Sequence, residues 1–118
     1  MRELKFRVWN KEAEMFVADF VIDSTGSAVV FDKEGVAESL GAEVMQFTGL
    51  QDKNGVDIYE GDIISREVNC LYDAGKVNEV VNFSHGQFNC DDADLNNIVE
   101  SFCAKVIGNI YENIELLN

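Results

Sequence analysis

The chain of 118 residues is 47% hydrophobic and 26% charged, a composition typical of one ordinary globular domain and not of a disordered chain. Its formal net charge of −13 disfavours direct binding of nucleic acid, because that binding depends on lysine and arginine side chains that neutralise phosphates. No apolar run approaches the ~20 residues of a membrane span, and the three widely spaced cysteines argue against a disulfide framework, so we expect a soluble protein of a reducing compartment.

The N-terminal third is predicted to form short strands. The apolar residues of segment 4–8 alternate with Lys5 and Arg7, and this period of two predicts a strand with one buried and one solvent-exposed face. Trp9 then falls on the exposed face, beside the two basic residues. Three further segments follow: a return strand over residues 15–22, a turn-rich region with an apolar run over residues 23–36, and residues 38–44, which fit either a short helix or a loop.

The stretch FTGLQDKNGVDIYEGDII, residues 47–64, predicts two turns between strands. Asn54-Gly55 is the strongest short hairpin signal in the chain, because both residue types accept the positive φ of a type I′ turn. Asp52 is placed to accept hydrogen bonds from the backbone of that turn. Glu60-Gly61-Asp62 predicts a second sharp turn.

From residue 63 to the C-terminus the pattern predicts further strands joined by turns. The predicted elements are a strand that ends at Leu71, a turn at 73–75, strands over 77–83 and 87–90 around a turn at 84–86, a last strand over 102–107 broken by Gly108-Asn109, and a helical turn within 110–117. Turns that recur roughly every 8–12 residues are typical of small β-barrels. The sequence therefore predicts a mainly β fold, α+β at most.

The oxygen-rich turns and the cysteines form no recognised metal or catalytic motif. Calcium-loop frames that start at Asp52 or at Asp92 lack the glycine and the glutamate that an EF-hand requires. No CxxC pair fixes two ligands of a zinc site, for which the candidates are Cys70, His85, Cys90 and Cys103. His85 lies in a predicted turn and is expected to face solvent. No phosphate-binding, dinucleotide-binding or nucleophile motif occurs, so we expect no catalytic residue, no metal and no cofactor.

Trp9, Phe47 and Tyr59 are candidates for a protein interface, because exposed aromatic clusters anchor protein contacts. The alternative, that these rings close the ends of a small core, fits the sequence equally well. The chain contains no proline, so any exposed edge of a predicted sheet must be protected by charge, by a bulge or by a partner.

Three blocks of the sequence form a recognisable pattern. The central block holds Phe47-Thr48-Gly49-Leu50, then Asp52-Lys53-Asn54-Gly55, then Ile58-Tyr59-Glu60-Gly61-Asp62-Ile63. The chain opens with MRELKFRVW and carries VIGNIYEN at residues 106–113. Together these blocks resemble the YopX family of small proteins encoded by bacteriophages and prophages, whose members open with MREIKFRAW and close with VIGNIYEN. Residues 10–45 match no block of that pattern, and Ile114 stands where relatives often carry proline.

The resemblance implies an architecture but no reaction. It implies a single domain over residues 1–118, with an N-terminal β-hairpin region over 1–45, a small SH3-like or partly open β-barrel over 46–118 and a short C-terminal helical turn. The family has no accepted catalytic set, so no catalytic residue is carried over. The matching blocks are interpreted as turn geometry, supplied by Thr48, Gly49, Asp52, Asn54, Gly55, Gly61, Asp62, Gly108 and Asn109. Residues left for protein contacts are Trp9, Phe47, Tyr59 and Glu60.

Three functional hypotheses follow. The first is a non-enzymatic phage or prophage accessory protein, in the cytoplasm of the bacterial host, that binds a protein partner or self-associates as a homo-oligomer without contacting nucleic acid or membrane. The second is an acidic nucleic-acid mimic that occupies a basic protein groove, because residues 34–118 carry sixteen acidic and only four basic side chains. The third is a small metal protein or enzyme that uses Cys70, His85, Cys90, Cys103 or the carboxylates of Asp91, Asp92 and Asp94.

Overall fold

A computed structural model describes residues 3–31, 33–35, 37–39, 42–67, 76–90, 93–101 and 104–117. Within these residues the chain forms short β-strands, one α-helix and a C-terminal 3-10 turn, which confirms the prediction of a mainly β fold. The predicted turn at 73–75 and the residues Leu71, Phe102, Cys70, Cys103, Asp91 and Asp92 lie outside the described residues. No helix among the described residues is long and apolar enough to cross a membrane.

Backbone contacts divide the chain into two units. Lys5–Gln46 form one, here called the N-terminal unit, and Phe47–Asn118 together with Met1–Leu4 form the other, here called the C-terminal unit. One long strand, β6, carries the chain from the first unit into the second. The expectation of a single domain over residues 1–118 stays a prediction.

The N-terminal unit contains two small antiparallel sheets. Its strands are β1 (Phe6–Asn10), β2 (Met15–Phe16), β3 (Val21–Ile22), β4 (Ala28–Phe31), β5 (Ala37–Ser39) and the first half of β6 (Ala42–Gln51). β1 pairs with β2 on one side and with β6 on the other, and β4 lies between β3 and β5. The single return strand predicted over residues 15–22 is two separate strands. Residues 38–44, expected as a helix or a loop, instead include the end of β5 and the start of β6.

Trp9 is buried, so its predicted position on a solvent-exposed face is wrong. The side chain is 6% exposed, and the neighbouring Val8 is fully buried as well. Strand β2 places Phe16 directly opposite Trp9, with ring centroids 5.0 Å apart and planes at 76°. The Arg7 guanidinium lies 5.1 Å from the centroid of the same Phe16 ring. Period-two alternation places Trp9 on the same face of β1 as Arg7, but it does not show that Phe16 of the paired strand packs against Trp9 on that face.

The C-terminal unit is built on a five-stranded, curled half-barrel sheet. Its elements are β7 (Asp57–Tyr59), β8 (Asp62–Glu67), β9 (Lys76–Ser84), β10 (Gln87–Cys90), β11 (Ala93–Asp94), α1 (Leu95–Ser101), β12 (Lys105–Asn109) and the 3-10 turn Ile114–Leu117. The order of strands in the sheet is β11-β10-β9-β8-β12, and β7 pairs separately with β6. The predicted hairpin of residues 77–83 and 87–90 is confirmed. Gly108-Asn109 do not break the last strand but lie inside β12, next to a register shift after Val106.

The core of the C-terminal unit lies between the sheet and α1. Its fully buried side chains are Ile58, Ile64, Val81, Cys90, Leu95, Ile98 and Ala104. Burying one aliphatic side chain of this size contributes about 1.5–3 kcal/mol. The thiol of Cys90 is one of these core groups, and α1 contributes two more. The helix was not predicted from the sequence, although it supplies part of the core.

Candidate functional site

The turn at residues 52–56 is closed by the side chain of Asp52. One carboxylate oxygen, Oδ1, accepts hydrogen bonds from the backbone N–H groups of Asn54 and Val56 at 2.8 and 2.9 Å. The N–H of Gly55 donates to the carbonyl oxygen of Asp52 at 3.0 Å. Gly55 has a φ of +79°, whereas Asn54 is not among the residues with positive φ. The predicted type I′ turn at Asn54-Gly55 is therefore wrong, because the carboxylate holds the turn in another conformation.

The second carboxylate oxygen of Asp52 connects this turn to the edge of the half-barrel. Oδ2 accepts the backbone N–H of Val106 at 2.8 Å, and the N–H of Lys53 donates to the carbonyl of Ala104 at 3.2 Å. Val106 belongs to β12, an outer strand of the five-stranded sheet. The turn thus covers polar groups of an edge strand in a chain that has no proline to protect it.

Asp52 is held as a buried carboxylate. Its side chain is 6% exposed. Burial raises the pKa of the Asp52 carboxyl, but the three amide hydrogen bonds and the positive charge of Lys53 outweigh that effect. The pKa therefore lies below its ordinary value, and the group is charged at neutral pH. All of this hydrogen bonding is internal, so the carboxylate stabilises the fold.

The turn at residues 60–62 is anchored in a similar way. The backbone N–H of Tyr59 donates to Oδ2 of Asp62 at 2.8 Å, and Asp62 is buried. Gly61 has a φ of +84°; its N–H donates to the carbonyl of Val81, and its carbonyl accepts the N–H of Ile110. A residue with a Cβ would be strained at that φ. The glycine thus joins three segments of the C-terminal unit through its backbone.

The segment after β12 is organised around Asn109. Its Oδ1 accepts the backbone N–H groups of Tyr111 and Glu112, both at 2.9 Å, and its Nδ2 donates to Oε1 of Glu112. The N–H of Asn109 donates to Oδ1 of Asn113 at 3.2 Å. A Cβ on Gly108 would lie only 2.5–2.8 Å from three side-chain atoms of Asn113. Close approach, rather than positive φ, is why glycine occupies position 108.

The variant Gly108→Ala is expected to lower the free energy of unfolding by about 2 kcal/mol, because the added methyl group overlaps Asn113, including its Cβ. Urea denaturation monitored by circular dichroism measures the loss. In a chain that already carries Asn113→Gly, Gly108→Ala should lower the free energy of unfolding by clearly less. An equal cost in the two backgrounds would show that this contact is not the cause.

Strand β6 contains a bulge between Phe47 and Gln51. Between the pairs Phe47–Tyr59 and Gln51–Asp57, three residues of β6 face the single residue Ile58 of β7. Oγ1 of Thr48 donates to the carbonyl of Ile58 at 2.8 Å and accepts the N–H of Leu50 at 3.2 Å. Gly49, at the centre of the bulge, has a φ of +87°.

Thr48 and Leu50 of the bulge line a groove in the C-terminal unit, here called the Phe83 groove. Its other main lining residues are Phe83, Gln87, Phe88 and Asp94. The groove has a volume of about 280 Å³. Small-molecule pockets usually measure about 300–1,000 Å³. The Phe83 groove therefore lies just below the lower end of that range.

Two phenylalanine rings form a corner in the Phe83 groove. Phe83 on β9 pairs directly with Phe88 on β10, and their ring centroids are 5.0 Å apart with planes at 69°. The hairpin between them turns at His85-Gly86, both with positive φ, as a type I′ turn requires. Nδ2 of buried Asn89 donates to the carbonyls of Ser84 and Gln87, both at 3.2 Å. The ring corner is thus held by a well-bonded hairpin, yet Phe83 itself is 55% exposed.

The structure does not bring the predicted contact residues to this groove. Trp9 and Phe47 are buried, whereas Tyr59 and Glu60 are partly exposed. Phe47 and Tyr59 form a cross-strand ring pair at 5.6 Å between centroids. A direct signal for the groove was present in the sequence: FSHGQF places one phenylalanine on each side of a His-Gly turn.

The described residues of the metal and enzyme hypothesis, His85, Cys90 and Asp94, lie in separate environments. Cys90 is buried in the core, and His85 is exposed in its turn. Asp94 precedes α1, where its Oδ1 accepts the N–H of Asn96 at 2.8 Å. Within the described ranges, no group of three or more histidine, cysteine, aspartate or glutamate side chains is placed to hold a metal. The absence of a metal site in the whole chain stays a prediction.

The chain is similar to known proteins over its whole length. A family model described as YopX protein matches residues 5–118. The solved structure of protein EF1440 from Enterococcus faecalis is similar at 29% identity and a TM-score of 0.71, with all of both chains covered. Protein yopX from Bacillus subtilis is similar in fold at 22% identity and a TM-score of 0.64, again with all of both chains covered. No curated protein matches the sequence. Because the family model spans nearly the whole chain, the chain belongs to the YopX family.

Proposed function

We propose that this chain is a non-enzymatic phage or prophage accessory protein, in the bacterial cytoplasm, that acts by binding a protein. The bound protein is either a partner or a second copy of the chain. The observation that carries the proposal is the Phe83 groove, where a large apolar side chain is 55% exposed on a firmly bonded hairpin. Exposed aromatic residues in a concave surface are typical anchors of protein contacts.

The polar side chains of the family signature support a binding role over catalysis. Asp52 and Asp62 accept backbone N–H groups, and Asn109 both accepts and donates within its own turn. These groups hold the backbone in place. A catalytic acid or base needs access to a substrate proton, which a carboxylate enclosed by backbone donors does not have.

Exposed apolar residues elsewhere also fit association with protein. Both units present large side chains to solvent, namely Leu4, Met15, Phe16, Val21, Phe31, Val56, Phe83 and Ile114. Single exposed apolar residues are ordinary, but grouped ones mark interaction surfaces. Phe83 combines a ring partner, Phe88, with a position in a groove.

The acidic composition favours a second candidate, a protein that mimics nucleic acid. Such a mimic would need its carboxylates on the surface, spaced like phosphates. Asp52, Asp62 and Glu79 are instead buried and hydrogen-bonded inside the C-terminal unit. Three of the sixteen acidic side chains of residues 34–118 are therefore unavailable to such a mimic.

The test compares Phe83→Ser with Val56→Ser, which replaces another exposed apolar residue that does not line the groove. Light scattering over a concentration series reports self-association, and affinity capture from phage-bearing host cells reports a partner. We expect Phe83→Ser to weaken the association at least about tenfold and Val56→Ser to leave it unchanged. Circular dichroism verifies that both variants fold. A strict monomer without a captured partner, or equal effects of the two variants, would contradict the proposal.

A further inference from the structure

The chemistry of the Phe83 groove indicates what it binds. Asp94 contributes a carboxylate to the lining. Its Oδ1 accepts the N–H of Asn96, which fixes the orientation of the carboxylate at the start of α1. A carboxylate offers about four acceptor positions. One backbone bond therefore leaves capacity for a donor that enters the groove.

The two phenylalanine rings of the groove favour a donor that is positively charged. The face of an aromatic ring attracts a cation that lies within about 6 Å of its centroid. Phe83 and Phe88 meet at 69°, so a group placed in the corner contacts both rings. The described residues that line the groove include no lysine or arginine, so none of these residues supplies a cation there.

The net negative charge of residues 34–118 favours a cation over an anion as ligand. Residues 34–118 carry four basic and sixteen acidic side chains. One of those basic side chains, Arg66, is engaged with Glu79 in a part-buried ion pair at 2.7 Å. A negative field of this kind raises the local concentration of positive groups and speeds their association.

We infer that the Phe83 groove binds a lysine or arginine side chain of the partner protein, with the alkyl stem against Leu50 and the ring corner and the charged end towards Asp94. This inference rests on the proposed binding function and adds the chemistry of the partner. Its energy comes from apolar contact, cation–π attraction and a charge-assisted hydrogen bond together. A neutral apolar side chain would obtain only the first of these.

The test is a titration of the full chain, followed by amide NMR shifts, with two capped amino acids. N-acetyl-lysine amide is the probe, and N-acetyl-norleucine amide is the neutral control with the same alkyl stem. We expect shifts at Phe83, Phe88 and Asp94, and affinity for the lysine compound at least about tenfold above that for norleucine. Added salt should reduce this difference.

Two variants separate charge from structure. Asp94→Asn keeps a side-chain oxygen to cap α1 but removes the negative charge. Phe83→Leu keeps apolar bulk but removes a ring. Each should lower affinity for the lysine compound about five- to tenfold, with little change for norleucine and in thermal unfolding. Equal binding of the two compounds, no detectable binding of either, or an unchanged Asp94→Asn variant would overturn the inference.

The inference and the proposed function can fail separately. If Phe83→Ser no longer binds the partner but Asp94→Asn binds it as well as the wild type does, the proposed binding function is supported. The inference that the ligand is a cation is then rejected. A chain that binds the lysine compound selectively, yet stays monomeric and captures no partner, would reject the binding function instead.

Discussion

Replacing Asp52 by alanine is expected to lower the free energy of unfolding by about 3 kcal/mol. The change removes one charged acceptor from three backbone donors, those of Asn54, Val56 and Val106. Hydrogen bonds to charged groups contribute about 1.5–3 kcal/mol each, but bonds that share one side chain do not add fully. Urea denaturation near neutral pH measures the difference.

Asp23 provides a matched control from the same chain. In DSTGS, residues 23–27, its Oδ1 accepts the N–H groups of Thr25 and Ser27, and the N–H of Gly26 donates to its carbonyl. DKNGV, residues 52–56, has the same backbone pattern. Asp23 is exposed, and among the described residues its side chain accepts hydrogen bonds only from Thr25, through both its N–H and its hydroxyl, and from Ser27 of the same turn. Asp23→Ala should therefore lower the free energy of unfolding by clearly less than Asp52→Ala. Equal losses would show that the bond from Val106 to Asp52 adds nothing to stability.

The contribution of Asp52 should disappear in acid. Its pKa is lower in the folded chain than in the unfolded chain, so the stabilisation is complete above the unfolded value of about 3.9 and is lost as the pH falls through the folded value. The difference in unfolding free energy between the wild type and Asp52→Ala should therefore narrow below about pH 4. A difference that stays constant across this range would contradict the charged state assigned to Asp52.

The turns show how far local sequence can predict this fold. An aspartate three residues before a glycine, in DSTGS and in DKNGV, locates both turns, because Asx hydrogen bonds depend only on neighbouring residues. The bond from Val106 to Asp52 spans 54 residues and depends on how β12 approaches the turn. No local pattern contains that information. The position of the hairpin was therefore predictable, but its role at the sheet edge was not.

Helix α1 was missed for a physical reason. Asp94 is a favourable cap, and Leu95, Ile98 and Val99 have helical spacing, so a signal was present. Seven residues are nevertheless too few for a helix that is stable on its own. Burial of Leu95 and Ile98 in the core supports it. Because this support is tertiary, the sequence analysis assigns no element to residues 91–101.

The candidate site was also only partly predictable. Thr48 and Gly49, predicted as turn residues, form a bulge in β6, and Thr48 lines the Phe83 groove. The predicted contact residues are Trp9, Phe47 and Tyr59, as aromatics, and Glu60, but Trp9 is buried and Phe47 is buried against Tyr59. Phe83 lies outside every matching block. The groove arises where β6, the β9–β10 hairpin and α1 meet, and a reading along the chain does not show which segments meet.

A second large effect is expected at the ion pair on the core face of β8 and β9. Nε and Nη2 of Arg66 donate to Oε1 of Glu79 at 2.9 and 2.7 Å, and the Glu79 side chain is 8% exposed. Arg66→Met would leave that carboxylate buried without its cation. Breaking one side of a buried pair costs about 3–5 kcal/mol. The loss of unfolding free energy in urea should fall in this range near neutral pH.

The double variant Arg66→Met/Glu79→Leu should recover most of that loss. Within the described residues, Oε2 of Glu79 is buried and accepts no hydrogen bond, so the pair does not fully repay the cost of removing two charges from water. Apolar side chains of similar volume avoid this cost, and we expect the double variant to unfold within about 1 kcal/mol of the wild type. If instead the double variant is as unstable as Arg66→Met, the pair is a net source of stability. The interior of the half-barrel would then depend on this polar contact as well as on the apolar core.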